Sequence, residues 1–183
     1  MTNNQKWAQF KAKVLRPADA GEGDEWAFVV LPADVSSSLS RRGRLTVRAK
    51  INGVEFQVQL EPDGQKSHWL KIDQSILQES AADSGDVAEF SIAALAQEPE
   101  PDVPDDLIRA LKGSPEASVI WKATTTIARV DWIHWITSAK QAKTRTKRVS
   151  DALDMLASGK KRVCCFDPSG FYSKAFCAPK VAE

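Results

Sequence analysis

The residue types that could do chemistry gather in the last third of the chain. Arg145 and Arg148 lie three apart, so on a helix both guanidiniums point one way, and no acid stands four residues from either within the same helix. Two such groups can grip a carboxylate or phosphate bidentately. Trp132 and Trp135 precede them at the same spacing, with Lys140 and Thr144 in between. These six residues form the candidate floor of an anion-binding site, and the competing reading pairs the two arginines with acids of the N-terminal part. Lys140, Lys143 and Lys147 share a helical face with Asp151 and Asp154, and pairing of Lys147 with Asp151 makes that face one of solvation.

A second group is the adjacent pair Cys164 and Cys165, which follows Lys160, Lys161 and Arg162. Nearby positive charge lowers a thiol pKa, which makes both candidate reactive thiols. The alternative has the cysteines packing Phe166, Phe171 and Phe176 of the tail onto the body. The chain has three cysteines, an odd number for a disulfide framework.

Other chemistries find no pattern. Cys164 and Cys165 lack the two-residue spacer of a zinc site, and neither histidine lies near Cys177, so no metal site is expected. The acidic loop at 18–25, ADAGEGDE, does not match either glycine fingerprint for phosphate. There is no GxSxG elbow, and His68 shares a strand face with Leu70 and Ile72 as a packed or rim histidine does. No catalytic residue and no cofactor is assigned.

Charge is uneven although the net is +1 over 183 residues. Residues 1–104 carry eleven Lys/Arg against sixteen Asp/Glu, whereas residues 128–162 carry nine against three. The basic end favours an anionic partner, yet the chain as a whole lacks the strongly basic balance of a dedicated nucleic-acid binder. No apolar run reaches the roughly 18 residues of a membrane span, and the N-terminus does not read as a signal peptide. A cytoplasmic protein is expected.

The elements that must position these residues come in two blocks. In the first, strands are expected at 7–15, 26–31, 44–51, 54–61, 68–72 and 87–95, with helical turns after Pro32 and from Asp73. The Asn52-Gly53 turn pairs Ile51 with Val54, Ala49 with Phe56, Val47 with Val58 and Leu45 with Leu60. The same register sets Lys50 opposite Glu55 and Arg44 opposite Glu61, so both faces agree on it. Six short strands argue for a small closed barrel or pseudobarrel, which removes exposed edges. Its expected core is Phe10, Val14, Phe28, Val30, Val47, Phe56, Val58, Leu70, Phe90 and Ile92.

Three prolines and three acids make 98–104 a stiff linker. Helices then follow at 105–112, ending at Gly113, and from Ser114-Pro115-Glu116, where serine caps and proline sits in the first turn. A third helical stretch carries Trp132, Ile133, Trp135 and Ile136, and its stripe runs on through Ala142, Thr146, Val149, Leu153 and Leu156. The expected division is a barrel at 1–97, a linker at 98–104, a helical domain at 105–160 and a Cys/Phe-containing tail at 161–183. The fold class is α+β.

Residues 131–162, with the tryptophan-isoleucine pair, Ala139-Lys140, Thr144-Arg145, Arg148, Met155-Leu156 and Gly159, resemble the signature of the YdeI/OmpD-associated, bacteriocin-protection-like bacterial family. WAFVVLP at 26–32 and VRAKINGVEFQVQL at 47–60 resemble the barrel domain of unknown function that often precedes it. The resemblance implies a double-split barrel followed by helices, and a link to stress or bacteriocin tolerance. It also implies a break near Gln141 and Ala142, where many relatives carry proline; alanine here permits one continuous helix, and both readings stand.

Together these features predict a non-enzymatic module that grips an anionic small molecule or protein partner in the cleft between barrel and helices. The alternatives are a nucleic-acid-binding regulator and a cysteine-based redox protein.

Overall fold

The computed structural model describes residues 6–183. Two compact units make up the chain, one comprising residues up to 97 together with 167–183, the other residues 98–166.

The first unit is a curled antiparallel sheet. Its strands are β1 (Ala8–Lys13), β2 (Trp26–Val30), β3 (Leu45–Ile51), β4 (Val54–Pro62), β5 (His68–Asp73) and β6 (Val87–Ala94), with short helices α1 (Ala33–Ser37) and α2 (Gln74–Glu79) inserted. The six strands follow the order β1-β6-β3-β4-β5-β2 and form a half-barrel. Leu15 and Phe28 exchange two backbone hydrogen bonds of 2.8 and 2.9 Å, which join the outer strands of that order. The β3–β4 hairpin has the expected register, from Ile51 opposite Val54 to Leu45 opposite Leu60. Asn52 (φ 48°) and Gly53 (φ 88°) supply the two left-handed residues that such a turn requires. Arg44 pairs with Glu61 at 2.8 Å, and both Arg48 and Lys50 meet Glu55.

One expected face is inverted. Phe28 and Val30 were placed in the core, but Ala27, Val29 and Leu31 line it instead. The reason is register: Ala27 and Val29 lie opposite Ile72 and Leu70, both core residues, so the alternate positions of β2 must face the other way. Phe28 is nevertheless fully buried, in an aromatic layer with Trp26 and Trp69. A strand apolar on both faces hides which of them packs inward.

His68 also lies inside this unit. Its Nε2 meets the Gly43 carbonyl at 3.0 Å and its Nδ1 the Ser36 hydroxyl at 2.7 Å. The tail closes onto the same unit, where Ala18 donates to the Lys180 carbonyl and Ala182 to the Arg16 carbonyl, at 2.7 and 2.8 Å.

The second unit packs four helices: α3 (Asp105–Lys112), α4 (Pro115–Ala123), α5 (Thr126–Thr137) and α6 (Ala142–Ala157). Ser114 caps α4 by accepting from the Ala117 amide, and Thr125 caps α5 by accepting from Ala128. The core joins Leu107 and Leu111 of α3, Trp121 of α4, Trp132 and Ile136 of α5, and Val149, Ala152 and Leu156 of α6. Ala142 and Thr146 are exposed, so the apolar stripe of α6 starts at Val149.

Candidate functional site

The stretch carrying the candidate residues is two helices, not one. α5 ends at Thr137 and α6 opens at Ala142, with Gln141 extended between them (φ −113°, ψ 141°). At the end of α5, orphan carbonyls need partners that a continued helix would have supplied. Ser138 provides one, its hydroxyl donating to the Trp135 carbonyl at 3.1 Å. Arg148 provides the other, reaching back from α6 to donate to that same carbonyl and, at 3.1 Å, to the Ser138 hydroxyl. Its guanidinium also lies over the Trp135 ring, 5.5 Å from the centroid. Arg148 is therefore the C-terminal clamp of α5.

Arg145 is partnered as well. Its Nε and Nη2 donate to the two carboxylate oxygens of Asp106 at 2.8 and 3.1 Å, joining the start of α6 to the start of α3. The hydrogen bonds from this guanidinium hold the Asp106 carboxyl below the usual range, and its charge adds to the effect. The competing reading at the sequence level paired the arginines with acids of the N-terminal part; the acid is Asp106, in the helical unit itself.

Trp132 is fully buried, edge-on to the half-buried Trp135 at a centroid distance of 6.2 Å, and its Nε1 donates to the Lys161 carbonyl at 3.4 Å. The exposed members of the candidate set lie at the opening of α6. Lys140 and Lys143 are exposed and Thr144 is half-buried. No described side chain caps α6, and its first turn contains no acid. Lys147 is drawn to Asp151 at 2.6 Å, as expected for a solvated face.

The structure thus brings Lys140, Lys143 and Thr144 together around one helix start, and uses Arg145, Arg148 and Trp132 to fix its position. Two more residues belong to this scaffold and carried no sequence signal as a pair. Arg129 donates to Glu100 through Nε and Nη2, at 3.0 and 2.6 Å, and to the Thr124 carbonyl at the end of α4. The hydrogen bonds from Arg129 and Thr126 hold the Glu100 carboxyl below the ordinary range. The cluster Thr124-Thr125-Thr126 followed by Arg129 was the available hint, since it marks a helix boundary with a long cation one turn inside.

The two thiols lie in a turn beyond α6. Cys164 and Cys165 are exposed, with sulfurs 3.3 Å apart. Neighbouring positive charge was expected to lower their pKa, but Cys165 is raised: its hydrogen bond with Cys164 and the charge of that group outweigh the lowering by Lys160. Among the described residues, no cluster of three or more metal-ligating side chains occurs, and no helix is long and apolar enough to cross a membrane.

Comparison with known families finds one match in each of the two units. Residues 10–92 match a family model described as a domain of unknown function, DUF1905. Residues 100–159 match one described as bacteriocin-protection, YdeI or OmpD-associated. No curated protein matches the chain.

Proposed function

We propose, from the match of residues 100–159 to the bacteriocin-protection, YdeI or OmpD-associated family and of residues 10–92 to DUF1905, that the chain is a non-enzymatic module binding an anionic ligand or the acidic segment of a protein partner. The observation that carries this reading is the opening of α6, an uncapped start with no acid in its first turn, flanked by exposed Lys140 and Lys143 with Thr144 beside them. Free amides and the helix dipole favour an anion there, and the two ammoniums add charge. Trp135, Arg145 and Arg148 complete the surface by holding α5, α6 and α3 in register; Arg145 keeps one further nitrogen, Nη1, beyond the two given to Asp106.

His68 and His134 are both buried, at 0% and 2% exposure, and neither is part of the α6 opening.

The affinity for a small anion is set by two or three charge-assisted hydrogen bonds of about 1.5–3 kcal/mol each. Against the cost of association, that corresponds to binding in roughly the millimolar range. An amide-resolved NMR titration with inorganic phosphate, citrate and a short DNA duplex tests the reading. Shifts are expected at Ala142, Lys143 and Thr144, and Lys140→Glu combined with Lys143→Glu should remove them. Unchanged amides with all three probes, or equal binding by the double variant, overturn it. A response to duplex alone, with a steep salt dependence, would favour the nucleic-acid reading.

A further inference from the structure

Cys164 and Cys165 form a second site, independent of the α6 opening. Neighbouring side chains on an extended chain point to opposite sides. Here they converge, because Cys165 adopts φ 58°, in the left-handed region that side chains other than glycine and asparagine rarely take. A conformation of that kind costs roughly 1–2 kcal/mol. The result is two solvent-exposed sulfurs 3.3 Å apart, in a turn that follows Lys160, Lys161 and Arg162.

A disulfide is a poor end state for this pair. Consecutive Cα atoms are about 3.8 Å apart, whereas disulfides join Cα atoms separated by about 4.4–6.8 Å. A Cys164–Cys165 bond would be strained and readily reduced.

Chelation makes no such demand. A centre about 2.3 Å from each sulfur, a typical metal–thiolate length, sees sulfurs 3.3 Å apart at an angle of roughly 90°. A tetrahedral ion such as zinc would need them spread to about 3.8 Å and two further ligands, and no described cluster of three metal-ligating side chains supplies these. A linear two-coordinate ion would need roughly 4.6 Å at the same bond length. A pyramidal trivalent centre, with bonds near right angles and a third position held by its own substituent, fits the sulfurs as they stand.

We propose that Cys164 and Cys165 are a bidentate dithiol site for a soft, pyramidal, trivalent metalloid of the organoarsenic(III) class. Each thiol gives up its proton, the arsenic gives up two hydroxyl groups, and two waters leave. Two As–S bonds replace two As–O bonds while arsenic stays trivalent and no electrons move. Because both thiols lose their protons on binding, the complex is favoured as pH rises.

The test uses the full chain, freshly reduced, with phenylarsine oxide as the probe. One equivalent should mask two of the three thiols to a colorimetric thiol reagent, and dithiothreitol but not 2-mercaptoethanol should release them. Cys164→Ser and Cys165→Ser should each weaken binding by roughly 100-fold, the loss expected when two-point attachment becomes one-point. Cys177→Ser should leave it unchanged. The thiols are exposed, so melting curves of the variants should match the wild type and keep any loss attributable to sulfur. Masking of a single thiol per arsenical, release by the monothiol, tight binding by Cys164→Ser, or loss of binding in Cys177→Ser overturns the proposal.

Discussion

The Arg145 guanidinium meets both carboxylate oxygens of Asp106, 39 residues away in the chain, through a two-point contact of 2.8 and 3.1 Å. With both side chains about one third exposed, solvent screens much of the attraction. Arg145→Ala is therefore expected to cost about 1 kcal/mol at neutral pH. Because the Asp106 pKa is lowered in the folded state, the contribution is present above its unfolded value near 3.9 and is lost as pH falls through the folded value. Amide exchange at Val149, followed in wild type and Arg145→Ala, should show a gap at pH 7 that closes in strong acid. A gap of equal size at low pH would contradict the electrostatic account.

Local signals made much of the fold legible. Asn52-Gly53 and alternation on both sides of it specified a seven-pair register, and Ser114-Pro115 and Gly113 marked helix ends within a residue. What sequence could not show were acceptors with no side chain and partners far along the chain. Arg148 clamps the Trp135 carbonyl, a group every residue possesses, so nothing in its neighbourhood distinguishes it from an arginine reaching for a ligand. Asp106 reads as a helix-start acid and nothing more until α6 is folded beside it. The face of β2 was lost for a different reason: with Ala27, Phe28, Val29 and Val30 all apolar, alternation carries no information, and only the pairing with Leu70 and Ile72 decides.

Arg129 joins a helix end to the start of the helical unit, and its side chain is only 14% exposed. It donates to the Thr124 carbonyl and hydroxyl and to both Glu100 oxygens. Arg129→Ala strands buried acceptors at the end of α4 and is expected to destabilise the helical unit by about 2–3 kcal/mol. Glu100→Gln keeps those acceptors satisfied and should cost less than about 1 kcal/mol, since Glu100 is mostly exposed. Urea unfolding monitored by helix circular dichroism distinguishes the two; equal effects would show that the ion pair, rather than the carbonyl clamp, is the stabilising element.

His68 is fully buried with both ring nitrogens engaged. A carbonyl can only accept, so Nε2 carries the proton toward Gly43 and Nδ1 accepts from the Ser36 hydroxyl. Burial lowers the pKa; the carboxylate of Asp63 opposes that, and Arg41 and Arg42 reinforce it. With the folded pKa below the unfolded value near 6.5, stability is full above that pH and declines as pH falls below it. The first unit should lose stability from about pH 6.5 downward in wild type. His68→Ala leaves Ser36 and Gly43 facing a cavity and should cost about 2–4 kcal/mol at pH 7. Imidazole resonances showing His68 titrating at or above 6.5 would remove the basis for both expectations.

Gly64 permits the tail to lie against the sheet. Its φ is 73°, and a Cβ at this position would overlap the backbone carbonyl oxygen of Phe176, which cannot rotate away as a side-chain atom could. Gly170, at φ 68°, leaves similar room for the Phe176 ring. Gly64→Ala adds about 1 kcal/mol of left-handed backbone strain to that overlap. The tail can relieve the overlap by moving, since it attaches at its far end through the Ala18–Lys180 and Ala182–Arg16 hydrogen bonds, with no helix or full strand of its own. Gly64→Ala should therefore release residues 167–183 while leaving the half-barrel folded. Hydrogen exchange should speed up at the Ala18 and Ala182 amides and stay slow at Ala49 and Val58 in the β3–β4 hairpin. Protection retained at Ala182 would mean that the tail is held by contacts other than those around Phe176, and equal loss of protection in the hairpin would mean that Gly64 serves the sheet rather than the tail.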